Sequence, residues 1–550
     1  MKLTDLFVRC LENEDVKYIF GVPGEETEDL LFSLDESTIT FIPTRHELGA
    51  AFMANLWGRL TGKAGVCLAT LGPGATNLFT GVADANMDKA PVIAITGQGG
   101  TSRMHLESHQ YLNIVNMFKP ITKWNVSVAS TDVIPEIIRK AFKVAEFEKP
   151  GATHIELSED IAAKEASGLC EPLPVHRLRR PSPDYKALKQ ALDLLKNARR
   201  PLIMAGNGAI RKQASKQLSR LVKKHNIPVV STFMGKGAIS DRMEQSLYAI
   251  GLGFSDYVME AIEKADLILT VGYDIAEYAP QKWNLHNRKK VVHIDFVPAE
   301  AYTSYLPVVE CIADVSATLW ELNQRLEDED TNFDTEWFRP IRARIGADIA
   351  SYDLQEGEPF TIPGTLNEVR RTLDDYGLLI SDVGSHKMWI ARNFSTYVPN
   401  GCIISNGLAS MGIALPGAIA ASLVDPNRQI VAVMGDGGFL MNSQELETAK
   451  RLGVNFTAII LNDNDYGLIR WKQTMSRGKA TGTALTNPDF KAYVESFGLQ
   501  AYRPESLAEL KTQLAAAIHS PDIAVIEVPI DPDVNYKLID KLNAFWKERS

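Results

Sequence analysis

The chain has 550 residues, 45% of them hydrophobic and 23% charged, which is the composition of a globular protein too long for a single core. Its formal net charge of −10, with no long basic run, argues against nucleic acid or an anionic membrane surface as the main partner. Five scattered cysteines without CxxC spacing imply neither a disulfide framework nor a zinc site and suit a reducing cytoplasm, and the N-terminus carries an early acid and no apolar run of the secretory kind.

Taken in order, the chain alternates short apolar runs with helical patterns, which predicts an α/β fold of parallel sheets with helices on both faces. A strand over 18–20 leads into the tight turn Gly21-Val22-Pro23-Gly24. Glu47 then stands at the start of a helical pattern over 50–57, where a carboxylate complements the helix dipole. Strands over 66–69 and 92–96 follow, and the glycine turn Gly72-Pro73-Gly74 opens another helix. Residues 167–184, with four prolines and an arginine cluster, read as a linker.

The middle of the chain predicts strands over 202–205, 267–271 and 291–294. Gly206-Asn207-Gly208 follows the first of these, but Arg211 stands where a dinucleotide fingerprint needs its third glycine, so a plain strand-to-helix turn is favoured. Residues 326–363, rich in acids with a partly helical middle, read as a second linker. These breaks divide the chain into domains over 1–165, 185–330 and 355–535, with a tail over 536–550.

The last third carries the clearest chemistry. Residues 393–424 lack any charge, yet prolines and glycines interrupt them, so a buried loop and helix is expected rather than a membrane span. A strand over 430–434 ends in Gly435-Asp436-Gly437-Gly438, a helix is expected over 443–452, and a second strand over 456–461 ends in Asn462-Asp463-Asn464-Asp465. Asp436 and Asp463 thus lie 27 positions apart, one at the carboxyl end of each strand of a strand–helix–strand unit. Two carboxylates with a backbone carbonyl, beside glycines that let a phosphate approach, form a hard-oxygen site for Mg²⁺ carried on a diphosphate.

This pattern resembles the diphosphate-binding signature of thiamine-diphosphate enzymes. Together with Arg45-His46-Glu47, the run from Gly72 to Asn77, His109-Gln110, Gly384-Ser385-His386 and Ala414-Leu415-Pro416, it resembles the acetohydroxyacid synthase and pyruvate oxidase group over nearly the whole chain, most closely the catabolic, flavin-free acetolactate synthases. The resemblance implies three doubly wound parallel-sheet domains: pyrimidine-binding, central and diphosphate-binding.

It further implies that Glu47 bonds the pyrimidine ring of the cofactor as the acid that activates it, and that His109 and Gln110 face the reacting carbon. Gly72, Asn77 and Met411 match positions around the ring, Met411 as the wedge beneath a bent cofactor. Ser385, His386, Gly435, Gly437, Gly438 and Tyr466 match positions near the diphosphate, and Asp436, Asp463 and the carbonyl of Asp465 match the metal ligands. Leu468, Trp471 and Lys472 fall at the substrate pocket, where the lysine departs from the tryptophan or glutamine of relatives. FAD is not expected, because 273–278 lacks the aspartate-pair stretch of flavin-binding relatives and the chain is short around 250–259.

The reaction implied is acetolactate synthesis from 2-oxo acids in a homodimer or homotetramer with active sites at the subunit interface. A decarboxylase, or a carboligase with an aldehyde acceptor, is the alternative. A catalytically silent relative would have lost Glu47 or the metal ligands, and all are present.

Overall fold

The computed structural model describes residues 1–548 apart from 167–169, 177–179, 212, 253–254, 328, 330 and 332. Arg177 and Arg179 of the first expected linker, parts of the second, and two residues of 250–259 therefore lie outside the described residues. Among the described residues, eighteen strands form three six-stranded sheets in which every strand pair is parallel.

The first sheet uses Tyr18–Gly21 (β1), Thr40–Pro43 (β2), Gly65–Ala69 (β3), Val92–Gln98 (β4), Trp124–Ser127 (β5) and Ala152–Ser158 (β6), in the order β2-β1-β3-β4-β6-β5. The second uses Pro201–Ala205 (β7), Val229–Ser231 (β8), Ser246–Ala249 (β9), Leu267–Val271 (β10), Lys290–Asp295 (β11) and Val309–Ile312 (β12), in the order β12-β11-β10-β7-β8-β9. The third uses Leu378–Ser381 (β13), Cys402–Ile404 (β14), Ile430–Gly435 (β15), Thr457–Asn462 (β16), Gln500–Tyr502 (β17) and Ala524–Pro529 (β18), in the order β14-β13-β15-β16-β18-β17. Strand order reverses between β1 and β3, between β7 and β10, and between β13 and β15, so each sheet has one crevice at the carboxyl ends of its strands.

Continuous apolar strands are what a sheet buried on both faces requires. Along β7, Leu202 and Met204 enter one hydrophobic core while Ile203 and Ala205 enter another. The first of these cores continues into the third sheet through Val431 and Val433 of β15.

The chain folds as two compact units. One comprises Met1–Leu178, Gly407–Asn427 and Phe439–Phe456; the other comprises Arg179–Asn406, Arg428–Gly438 and Thr457–Ser550. No described helix is long and apolar enough to cross a membrane. The uncharged stretch over 393–424 instead holds β14 and the buried helix Ala414–Val424.

Two details differ from the sequence expectation. A helix begins directly at Asp436 and runs to Asn442 before the next, Glu445–Leu452, where the sequence reading has a turn and a single helix over 443–452. The glycine pair lies in the first turn of the Asp436–Asn442 helix and is also closely packed: a Cβ at Gly437 or Gly438 would lie 2.9 Å from the Tyr466 ring or the Asp382 carboxylate. The final stretch is the helix Val534–Lys547, whose Val534, Leu538 and Leu542 join the core at helical spacing.

That last helix is also tied down by charge. Arg392, almost fully buried, pairs with Asp256 at 2.7 Å and with Asp348 at 2.7 Å, and Lys541 of the terminal helix pairs with Asp348. Removing the guanidinium would leave the buried Asp256 carboxylate without its cation and Asp348 with Lys541 alone. Arg392→Ala is expected to lower stability by about 3–5 kcal/mol, read as an earlier midpoint in urea denaturation.

Candidate active-site residues and their surroundings

In the first unit, β2 ends at Pro43 and the chain turns through Thr44-Arg45-His46 into the helix Glu47–Thr61. His46 caps that helix, its Nδ1 accepting the Leu48 N–H at 3.0 Å. Glu47 is buried, and its carboxylate accepts a hydrogen bond from Asn77 Nδ2 at 2.9 Å. Asn77 lies in the first turn but one of the helix Pro73–Met87, which opens after β3. Gly72 precedes that helix with φ of +52°, and a Cβ there would lie 2.8 Å from the Gln110 carbonyl oxygen, so glycine is required on both counts. Gln110 is itself exposed with φ of +57°, and His109 beside it is exposed. Glu47, Gly72, Asn77 and Gln110 are thus gathered at the carboxyl ends of β2 and β3.

Met411 belongs to the same unit. Its loop is fastened by groups that the sequence reading did not single out. Asp88 accepts the Gly407 N–H at 2.7 Å, Asp84 accepts the Ser410 N–H at 3.2 Å, and Asn442 Nδ2 donates to the Gly412 carbonyl at 2.8 Å. Met411 remains half-buried on this pinned loop. A flexible apolar side chain on a fixed backbone suits a packing surface for a ring.

In the second unit, the crevice between β13 and β15 gathers the phosphate and metal candidates. Gly384-Ser385-His386 leaves β13 and starts the helix Ser385–Asn393, while Gly435-Asp436 ends β15 beside it. His386 is buried, burial pushes its imidazole down to about 4, and its Nε2 has no hydrogen-bond partner. The ring lies against the glycine turn, its Cε1 and Nδ1 2.8 and 2.9 Å from the position a Cβ on Gly384 would take, and the spare nitrogen is a buried polar atom that a polar ligand would satisfy. At Gly435 a Cβ would make ordinary contact with the His386 ring at 3.6 Å, so the strand end lies directly against that imidazole.

β16 sits next to β15 and brings Asp463 alongside Asp436. Burial first, then the charges of Asp436 and Asp465, push the Asp463 carboxyl up to about 7. Burial also raises Asp436, opposed by hydrogen bonds from the Asn487 side chain and from backbone N–H groups. Crowded, partly buried carboxylates of this kind are stabilised by a bound cation. Asp463 Oδ2 and Ser385 Oγ lie together, 2.5 and 3.3 Å from the position a Cβ on Gly467 would take.

Asp465 contributes differently. Its carboxylate is engaged by Arg470 at 3.3 Å, and its bridge to Ala484 is made by the hydrogen bonds of Tyr466 with Thr483 and of Leu485 with Asn464. The Asp465 carbonyl is therefore not consumed by that bridge. Among the described residues no three His, Cys, Asp or Glu side chains form a metal-holding group. A set of two carboxylates and a backbone carbonyl is not such a group.

Asn487 is the polar residue that sequence reasoning missed here. Its Nδ2 reaches Asp436 at 2.6 Å, Asn464 at 3.0 Å and Asn462 at 3.2 Å, tying the ends of β15 and β16 together. The only local hint was its Asn-Pro dipeptide, a turn signal. Tyr466 and Leu468 are half-buried, Lys472 is exposed on the helix Gly467–Arg477, and Trp471 is buried.

Comparison with known proteins gives the family. The family models for thiamine pyrophosphate enzymes match at three places: the N-terminal TPP binding domain at residues 1–117, the central domain at 188–322 and the C-terminal TPP binding domain at 382–528. The chain is 36% identical over 550 residues to the catabolic acetolactate synthase of Raoultella terrigena, covering 98% of this chain and 97% of that one. It is 34% identical over 557 residues to an acetolactate synthase of Bacillus subtilis, covering 98% and 95%. It is also 30% identical to the large subunit of acetolactate synthase isozyme 1 of Escherichia coli, covering 96% and 94%. The chain belongs to the thiamine pyrophosphate enzymes, in the acetolactate synthase family.

Proposed function

We propose that this protein is an acetolactate synthase, decarboxylating one pyruvate and joining the two-carbon unit to a second 2-oxo acid. The observation that carries the reading is the pair of adjacent acids, buried Asp436 and half-buried Asp463, set near the unpartnered His386 Nε2 at the switch point of the third sheet. That donor set fits Mg²⁺ and a diphosphate together. Asp436, Asp463 and the Asp465 carbonyl would hold the metal; Ser385, His386, Gly435, Gly437, Gly438 and Tyr466 would meet the phosphates. Glu47 would meet the pyrimidine ring, with Gly72, Asn77 and Met411 around it.

Thiamine diphosphate, when bound, supplies a nucleophilic carbon and an electron sink for loss of carbon dioxide. The residues of this chain do the rest. Glu47, whose carboxylate Asn77 holds, would meet the ring nitrogen of that cofactor and serve as the proton-transferring acid. Gln110 and His109 would hydrogen-bond the substrate. Lys472, a cation on the exposed face of its helix with Leu468 one turn before it, would attract the carboxylate of the acceptor.

A flavin has no place in this reading. At the switch point of the second sheet the Asn207 N–H donates to both oxygens of Glu277 at 3.1 Å, and the Thr232 hydroxyl donates to Glu277 as well. A carboxylate of the chain itself thus takes the donors that a dinucleotide phosphate would use. Because relatives of this type complete each active site with the pyrimidine half of one copy and the diphosphate half of another, a homodimer is the least working assembly, and a homotetramer fits equally.

Lys472 also gives the second reading, a carboligase with another acceptor. A decarboxylase of the kind that protonates its product with a consecutive His-His pair is disfavoured, since the chain has no such pair.

Incubated with thiamine diphosphate, Mg²⁺ and pyruvate, the protein is expected to form acetolactate, detected as acetoin after acid treatment; acetaldehyde as the main product would reject the synthase. Glu47→Gln is expected to lower turnover by about 10²–10⁴-fold, and near-normal turnover would remove Glu47 from proton transfer. Lys472→Gln is expected to shift the product ratio when pyruvate, 2-oxobutyrate and an aldehyde compete. An unchanged ratio would make that side chain a bystander.

A further inference from the structure

Glu445 stands outside the site residues named above, yet it is completely buried, which is rare for a glutamate. Its carboxylate faces backbone. Oε1 accepts the N–H of Arg45 at 3.1 Å and of His46 at 3.0 Å, and Oε2 lies 3.3 Å from the Arg45 nitrogen. The Thr448 hydroxyl, one turn along the same helix, donates to Oε2 at 2.7 Å and fixes the rotamer. The fit on the other side is close, since a Cβ on Gly49 would lie 2.7 Å from Oε1. Burial pushes the carboxyl up; the Thr448 hydroxyl and the two backbone N–H groups pull it back.

The two N–H groups belong to the residues immediately before Glu47. The helix Glu445–Leu452 holds that turn at two further points: Glu447 accepts from Arg45 Nε at 2.9 Å, and Arg451 donates to the Pro43 carbonyl. These outer contacts are exposed and screened. The Glu445 contact is buried and charge-assisted, and so is the one able to fix backbone position. We propose that Glu445 is a positioning residue for the reaction, clamping the Arg45–His46 turn so that Glu47 is presented at one height and angle to the cofactor ring. This rests on Glu47 being the proton-transferring acid.

The test compares Glu445→Gln, the same size without the charge, with Thr448→Val, which removes only the hydroxyl that orients the carboxylate. Glu47→Gln is measured alongside. In the protein without cofactor, hydrogen–deuterium exchange of the peptide containing Arg45 and His46 is expected to quicken about ten-fold in Glu445→Gln, with the rest of the first unit unchanged. In the holoenzyme without substrate, deuterium exchange at the thiazolium C2 is expected to slow on the order of 10²-fold, the size of a 1 Å misplacement. Thr448→Val is expected to slow it less, in the same direction. Cofactor affinity, read by tryptophan fluorescence, is expected to stay within about three-fold, because the phosphate and metal ligands are untouched.

If Glu47→Gln slows C2 exchange while Glu445→Gln and Thr448→Val do not, the positioning role is overturned and the reading of Glu47 stands. If Glu47→Gln leaves C2 exchange unchanged, the reading of Glu47 fails and the positioning role goes with it. A Glu445→Gln protein that loosens throughout the first unit, with Thr448→Val exchanging C2 at the normal rate, overturns the proposal by making Glu445 a residue of the fold alone.

Discussion

A parallel sheet delivers the carboxyl end of every strand to one edge, and a crevice opens where the strand order reverses. The pairing of β13 with β15, and of β15 with β16, is the constraint on which the phosphate half of this protein depends. It sets the loop with Ser385 and His386, the turn with Gly435 and Asp436, and the acids after β16 side by side. A one-strand change in that order would scatter them, although each loop would keep its local form.

The same architecture occurs three times, and the buried carboxylates tell the copies apart. Glu277 in the second sheet and Glu445 in the first unit are buried against backbone N–H groups that neutralise their need for partners. They close their surroundings. Asp463 lies instead beside two more acids, and its carboxyl is pushed up by burial and by their charge. Arg470, which pairs with Asp465, offsets this only in part, and crowded acids of this sort are where function concentrates.

Positioning accounts for much of the rest. Asp84 and Asp88 serve the Met411 loop as Glu445 serves the Glu47 turn: buried acceptors hold the N–H groups of an irregular segment that lacks a ladder of its own. Asn487 does the corresponding work from the donor side, gathering three acceptors from two neighbouring strand ends. Loops that must present side chains within fractions of an ångström need such supports, and here they come from helices and turns far along the chain.

Local sequence determined the strands, because β3, β4, β7, β10 and β15 are apolar runs bounded by turn residues and need no long-range partner to be recognised. It also determined the short-range chemistry: a carboxylate opening a helix at Glu47, and two acids closing strands at Asp436 and Asp463. What only the tertiary structure decided is which groups support them. Glu445 meets Arg45 across 400 positions, Asp88 meets Gly407 across 319, and Asn487 meets Asp436 across 51. Such pairings leave no periodic trace, because hydrophobic spacing records which face of an element is buried and not which polar group waits on the other side.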